Sequence, residues 1–187
     1  MSRSLKNRKA LCLLSIIAAI LFMGFHRPSV PKETIKWLNF DEAVKLNQAH
    51  PKKILIDVYT NWCGWCKRMD ATTYVDPEIV SYVNKNFYAV RLNAETTDTF
   101  HFSNHLFINA EPEKRGSVNE LASSLLDGKM EYPTTVYMDE KFNRLSIAPG
   151  YLGVNDLKVI LIYFAEDKYK TMSYEDYKTS LQPVQTK

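Results

Sequence analysis

The stretch "ILIDVYTNWCGWCKRMD" (Ile54–Asp70) decides how the chain is read. Its first part, Ile54–Tyr59, is a short apolar run rich in branched residues. That pattern predicts a strand buried on both faces, with Asp57 as its one anomaly. The second part holds two of the chain's three cysteines, Cys63 and Cys66, spaced Cys-x-x-Cys with Trp62 and Trp65 before them. Cys66-Lys67-Arg68-Met69 reads as the start of a helix.

A cysteine between a strand and a helix has chemical consequences. The first turn of a helix offers free N–H groups and the positive end of the macrodipole. A thiolate there is stabilised, and its pKa falls below the free value of about 8.5. Cys63 comes first and is expected at the exposed end, as the nucleophile. Cys66, one turn on, can attack the resulting mixed disulfide and so resolve it. Gly64 keeps the approach open for a partner chain. Trp62 reads as an apolar platform beside the thiols, and Trp65 as either a substrate contact or a merely exposed ring.

Outside this stretch the composition is that of an ordinary globular protein. The 187 residues are 45% hydrophobic and 24% charged, enough for one domain with a real core and a short appendage. The net charge of +3 is small. It lacks the basic face or stripe that nucleic-acid binding needs, so nucleic acid is not an expected partner. The N-terminus differs. Arg3, Lys6, Arg8 and Lys9 precede an uncharged run, Ala10–Phe25. As a helix this run spans about 24 Å, short of the roughly 30 Å hydrocarbon core of a membrane. Residues 1–26 therefore read as a signal peptide, or as an uncleaved signal anchor, because no small-x-small cleavage site follows. Either way the basic flank predicts export of the remainder. Cys12 in this run reads as a small apolar filler. An even pair of cysteines is then left in a compartment where disulfides persist.

Residues 27–35 read as a linker. Phe40, Ala43, Val44 and Asn47 fall at helical spacing, and Pro51 ends that helix. Asp76-Pro77-Glu78 marks a helix start, with Ile79, Val80 and Val83 on its buried face. Phe87–Asn93 predicts the next strand. The pattern then breaks down from about 95 to 116, a long connection that is either functional or a local elaboration. Ser117-Val118-Asn119-Glu120 matches a capping box before a helix bearing Leu121, Ala122, Leu125 and Leu126. Two late strands follow, "YPTTVYMD" and "RLSIAPG". A closing helix has Leu157, Ile160, Leu161 and Phe164 on one face. Residues 168–187 form a polar, tyrosine-rich tail with a short helix after Ser173. The order predicts an α/β three-layer sandwich on a mixed sheet.

With "WCGWCK" in this setting, the chain resembles the thioredoxin superfamily over residues 36–167. It is most similar to the exported, disulfide-reductase-type domains, through "CKRMDATTYVDPEIVSYVNKNFYAVRLNAE". The resemblance implies a thioredoxin fold with an insertion, 95–116, before the cis-proline strand. It implies that Asp57 is the buried acid that accepts the proton of Cys66, with Arg91 as its basic partner. It implies a cis peptide before Pro133, with the Tyr132 backbone exposed to pair with a substrate strand. Two features depart from thioredoxin itself: the Gly64-Trp65 pair between the cysteines, and the insertion, which either folds towards the site or pads an edge.

The expected activity is thiol–disulfide exchange on disulfide-bearing proteins of the periplasm. No cofactor is required, because the dithiol carries the two electrons. A reductant in an oxidising compartment would need a membrane electron donor, and oxidase or isomerase activity stays open. Two rivals remain. His101 and His105 complete a nominal Cys2His2 zinc set, but 34 residues separate Cys66 from His101, where zinc fingers use about 12–15. No metal is expected on this ground. The other rival is an anchored binding module whose disulfide is only structural.

Overall fold

The computed structural model describes residues 32–182, so the apolar N-terminal segment lies outside the described residues. Among those residues, no helix is long and apolar enough to cross a membrane.

The strand expected at Ile54–Tyr59 is β2, Lys53–Tyr59, at the centre of a five-stranded sheet. The sheet order is β1-β3-β2-β6-β7. β1 (Trp37–Leu38) and β2 run parallel to β3 (Phe87–Asn93). β6 (Thr134–Met138) and β7 (Arg144–Pro149) are antiparallel, and β6 pairs with β2. The mixed sheet follows from the connections. β2 and β3 are joined through helices, whereas β6 and β7 form a hairpin.

Alternation along β2 divides the core in two. Ile54, Ile56 and Val58 face a cluster with Phe40, Ala43, Leu121, Leu125 and Leu126. These come from α1 (Phe40–Ala49) and α4 (Glu120–Leu125), with its C-cap Leu126. Leu55 faces the other cluster, with Met69, Ile79, Val83, Leu157 and Leu161. That layer is α2 (Gly64–Thr72), α3 (Pro77–Asn86) and α5 (Val154–Ala165). The result is a helix–sheet–helix sandwich. Each cluster is apolar enough to supply the hydrophobic term, at about 25 cal/mol per Å² of area removed from water.

Local signals set most boundaries. Asp76 caps α3, accepting from the N–H groups of Glu78 and Ile79 at 3.0 and 3.1 Å. Asn39 and Glu42 form a reciprocal capping box on α1. Three expectations are corrected. α2 begins at Gly64, two residues before Cys66, because Cys63 itself is the N-cap. The cap of α4 is Asn119, whose side chain accepts from Leu121 N–H at 2.9 Å. Ser117 lies two residues before that cap, and its hydroxyl donates to Asn109 Oδ1 at 2.6 Å. The 95–116 insertion is also more regular than its sequence suggested. It contains an antiparallel hairpin, β4 (Phe100–Phe102) and β5 (His105–Phe107), turned through Ser103 and Asn104, both at positive φ. Phe100 and Phe102 pack edge-on against Phe40 and so tie the hairpin to α1.

The C-terminal tail folds back as far as it is described. Ser173 caps α6 (Tyr174–Ser180), Tyr177 is buried, and its ring packs on Tyr163. The Tyr163 hydroxyl donates to Met172 O at 2.8 Å.

Candidate functional site

Cys63 and Cys66 are joined in a disulfide at the N-terminus of α2, with Cα atoms 5.3 Å apart. The β2 strand ends at Tyr59, and a turn closed by Cys63 N–H on Thr60 O at 3.2 Å delivers Cys63 to the N-cap. There its Sγ accepts from the Cys66 N–H at 3.0 Å. An unpaired helix N–H therefore points at the sulfur that the sequence marked as nucleophile, which favours a thiolate once the bond is reduced. One expectation changes. Cys63 is 5% exposed and Cys66 3%, so Cys63 is no more open than its partner. The bond between them makes each sulfur part of the other's cover.

The surroundings of the disulfide are aromatic and open. Trp62 is 66% exposed and Trp65 55%. Neither ring is loose. Trp62 packs edge-on against Tyr132, with centroids 5.9 Å apart, and its Nε1 donates to Glu95 Oε1 at 3.0 Å. Trp65 lies 5.6 Å from the Tyr151 ring, and the Arg68 guanidinium covers both rings at 5.2 and 5.7 Å. Between these tryptophans, a Cβ placed on Gly64 would meet nothing within 4 Å. The Tyr132–Pro133 peptide is cis and precedes β6. Burial and the nearby Glu95 charge push the Tyr132 phenol up to about 12, so it stays neutral.

Asp57 is 1% exposed, on the face of β2 that packs against α2. Burial raises its pKa to about 6, against the pull of Arg91 and the Tyr74 hydroxyl, while the Asp70 charge adds to the rise. Arg91 faces Asp57 across the β2–β3 ladder, and its Nε lies 3.1 Å from Asp57 Oδ2. The Tyr74 hydroxyl donates to Asp57 Oδ1 at 3.3 Å. Arg91 Nη2 donates to Asp70 Oδ2 at 2.7 Å, which links Asp57 to the CxxC helix.

Glu95, Tyr151, Arg68, Asp70 and Tyr74 were not singled out in the sequence. Arg68 meets Trp65 one helical turn away, a spacing that was a usable signal, whereas Glu95, Tyr151, Asp70 and Tyr74 meet the site through contacts distant in the chain. Two parts of the insertion are placed differently. Its hairpin pads α1, and Pro112–Ser117 line a cleft of about 600 Å³ with Trp62 and Glu95.

His101 and His105 lie on the β4–β5 hairpin, and His105 Nε2 is 3.5 Å from Glu120 Oε2. Among the described residues, no three His, Cys, Asp or Glu side chains are grouped to hold a metal ion.

Solved structures share this fold. A DsbH oxidoreductase matches with 18% identity and a TM-score of 0.50, over 72% of this chain and 85% of that one. A thioredoxin-fold protein from Helicobacter pylori matches with 19% identity and a TM-score of 0.54, over 71% and 87%. A thioredoxin from Thermus thermophilus matches with 18% identity and a TM-score of 0.54, over 70% and 87%. No curated protein matches the chain. The family model Thioredox_DsbH, described as a protein of unknown function, DUF255, matches residues 28–154. That span covers more than half of the chain and includes Asp57, both cysteines and Pro133, and the chain therefore belongs to the Thioredox_DsbH (DUF255) family, as a thioredoxin-fold protein with a Cys63–Cys66 pair.

Proposed function

We propose that the protein is an exported thiol–disulfide oxidoreductase that reduces disulfides of periplasmic proteins. The observation that carries this reading is the Cys63–Cys66 disulfide at the N-terminus of α2, with the Cys66 N–H on Cys63 Sγ. In the reduced protein, the Cys63 thiolate attacks one sulfur of a client disulfide. That S–S bond breaks, and the other client sulfur leaves as a thiolate. Cys66 gives up its proton and attacks Cys63 Sγ. The second client thiol is released, and the Cys63–Cys66 disulfide takes up the oxidising equivalent.

Asp57 serves as acceptor for the Cys66 proton. A carboxyl with a pKa of about 6 can hold a proton near neutrality, which an ordinary carboxyl cannot. Trp62, Trp65 and Tyr132 border the open approach over Gly64 and form the platform for the client strand, beside Pro133. Each turnover leaves the protein oxidised, so the reductase direction requires a membrane dithiol donor. The segment at residues 1–26 would place the domain at the membrane or release it into the periplasm after cleavage.

The test is trapping. Cys66→Ser leaves the nucleophile and removes the resolving thiol. Mixed disulfides through Cys63 should accumulate with exported proteins, and Cys63→Ser should give none. A Cys66→Ser variant that folds and traps nothing would favour the structural-disulfide reading.

A further inference from the structure

Arg91 is gripped from four sides. Nη2 donates to Asp70 on α2 at 2.7 Å. The guanidinium lies 5.3 Å from the Trp37 ring and 4.6 Å from the Tyr59 ring. On the fourth side, Nε is 3.1 Å from Asp57 Oδ2, yet this N–H makes no hydrogen bond among the described residues. The cation therefore stands at ion-pair distance from the buried carboxylate without the two-pronged geometry that makes Arg–carboxylate pairs strong. The remaining groups around Asp57 are weak partners. Tyr74, after α2, donates at 3.3 Å. β6 offers Thr135, opposite Asp57 in the ladder, and the neutral Tyr137 phenol, held neutral by burial.

We propose that Asp70 is a positioning residue, which holds Arg91 by its terminal nitrogen against the CxxC helix and so keeps the guanidinium from closing on Asp57. The buried carboxyl is thereby left free to take up and release a proton. Without Asp70, the same guanidinium would be free to turn its Nε–H fully onto Asp57. An N–H aligned on the carboxylate favours its charged form and lowers its pKa beyond what the nearby charge already does. Asp70 lies four residues after Cys66, so one helix carries the resolving thiol and the residue that sets its proton acceptor. The functional meaning rests on Asp57 being that acceptor, and the placement of Arg91 does not.

The test is a carboxyl ¹³C NMR titration of Asp57 in the oxidised full-length chain, with the Arg91 Nε–H resonance followed in parallel. Asp70→Asn should lower the Asp57 midpoint by about one unit or more and shift the Nε–H downfield, as a new hydrogen bond does. Asp70→Glu should stay close to the parent. In an Arg91→Gln background, Asp70→Asn should move the midpoint by no more than a small remainder. An unchanged or raised midpoint in Asp70→Asn overturns the proposal, and so does an Nε–H that does not move. An equally large fall without Arg91 also overturns it, because Asp70 would then act only as a nearby charge. Should Arg91→Gln fail to fold, the Nε–H shift in Asp70→Asn decides alone. Failure of the proton-acceptor reading shows separately, as thiol exchange indifferent to Asp57→Asn from pH 6 to 9, and failure of the oxidoreductase reading as no thiol exchange in the parent.

Discussion

The Trp62 indole donates to Glu95 Oε1 at 3.0 Å, joining the residue before Cys63 to the start of the insertion. Trp62 is exposed but oriented, a condition that lowers the ordering cost when a partner docks. Glu95→Ala should cost less than about 1 kcal/mol of stability, because the bond is solvent-exposed. Its effect belongs on docking. Reduction of a protein disulfide should slow roughly fivefold, about 1 kcal/mol of lost orientation, while a small aromatic disulfide reacts at nearly the parent rate. Equal slowing of both substrates would place Glu95 in the chemistry instead.

The pH dependence of stability follows from Asp57. Its pKa in the folded chain is about 6, against an ordinary value of 3.8, and burial is the main cause. The charged form is thus the costly one. The stability that the protonated carboxyl supplies is fully present below pH 3.8 and is lost as pH rises through about 6. At about 1.36 kcal/mol per pKa unit, the loss is on the order of 3 kcal/mol. Asp57→Asn should therefore be more stable than the parent by roughly 2–3 kcal/mol at pH 8, with the gap closing below about pH 4. Urea unfolding of the oxidised protein at several pH values measures this. A variant less stable at pH 8 would mean that the Arg91 pair outweighs the burial cost.

Phe40 connects the insertion to the core. It is buried under Phe100 and Phe102, with ring centroids 6.1 and 5.6 Å away. Phe40→Ala should destabilise the domain by about 3–5 kcal/mol. Amide exchange in β4 and β5 should speed up more than in β2, since the hairpin lies outside the five-stranded sheet. Unchanged protection of Phe100–Phe107 would mean that the hairpin is held by something other than Phe40.

What the sequence disclosed was mostly local. Phe87–Asn93 is a strand over the expected residues, an apolar run that buries side chains on both faces of the sheet. Asp76-Pro77 starts a helix as such pairs do. The Cys63–Cys66 pair was legible in its spacing between a strand and a helix, and the cis bond before Pro133 followed from a family resemblance. β1 was missed because two residues carry no period; Trp37 and Leu38 are held by pairing with Ala89 and Val90. The β4–β5 hairpin had a usable signal, Ser103-Asn104 between two aromatic triplets, but three-residue strands are too short to show alternation. Asp70 sits in a helix like any surface acid, and only the fold brings Arg91 to it. Such contacts depend on tertiary geometry, which spacing does not encode.

The measurement that tests the central claim most directly is the equilibrium of the Cys63–Cys66 bond against glutathione, read by mass spectrometry of the peptide that carries both residues. The account predicts a reversible two-electron couple near about −250 mV or lower, in the range of reducing thioredoxins. A value near about −150 mV would contradict the reductase direction and point to an oxidase or isomerase. A bond that does not exchange at all, in a folded protein, would contradict the oxidoreductase reading itself.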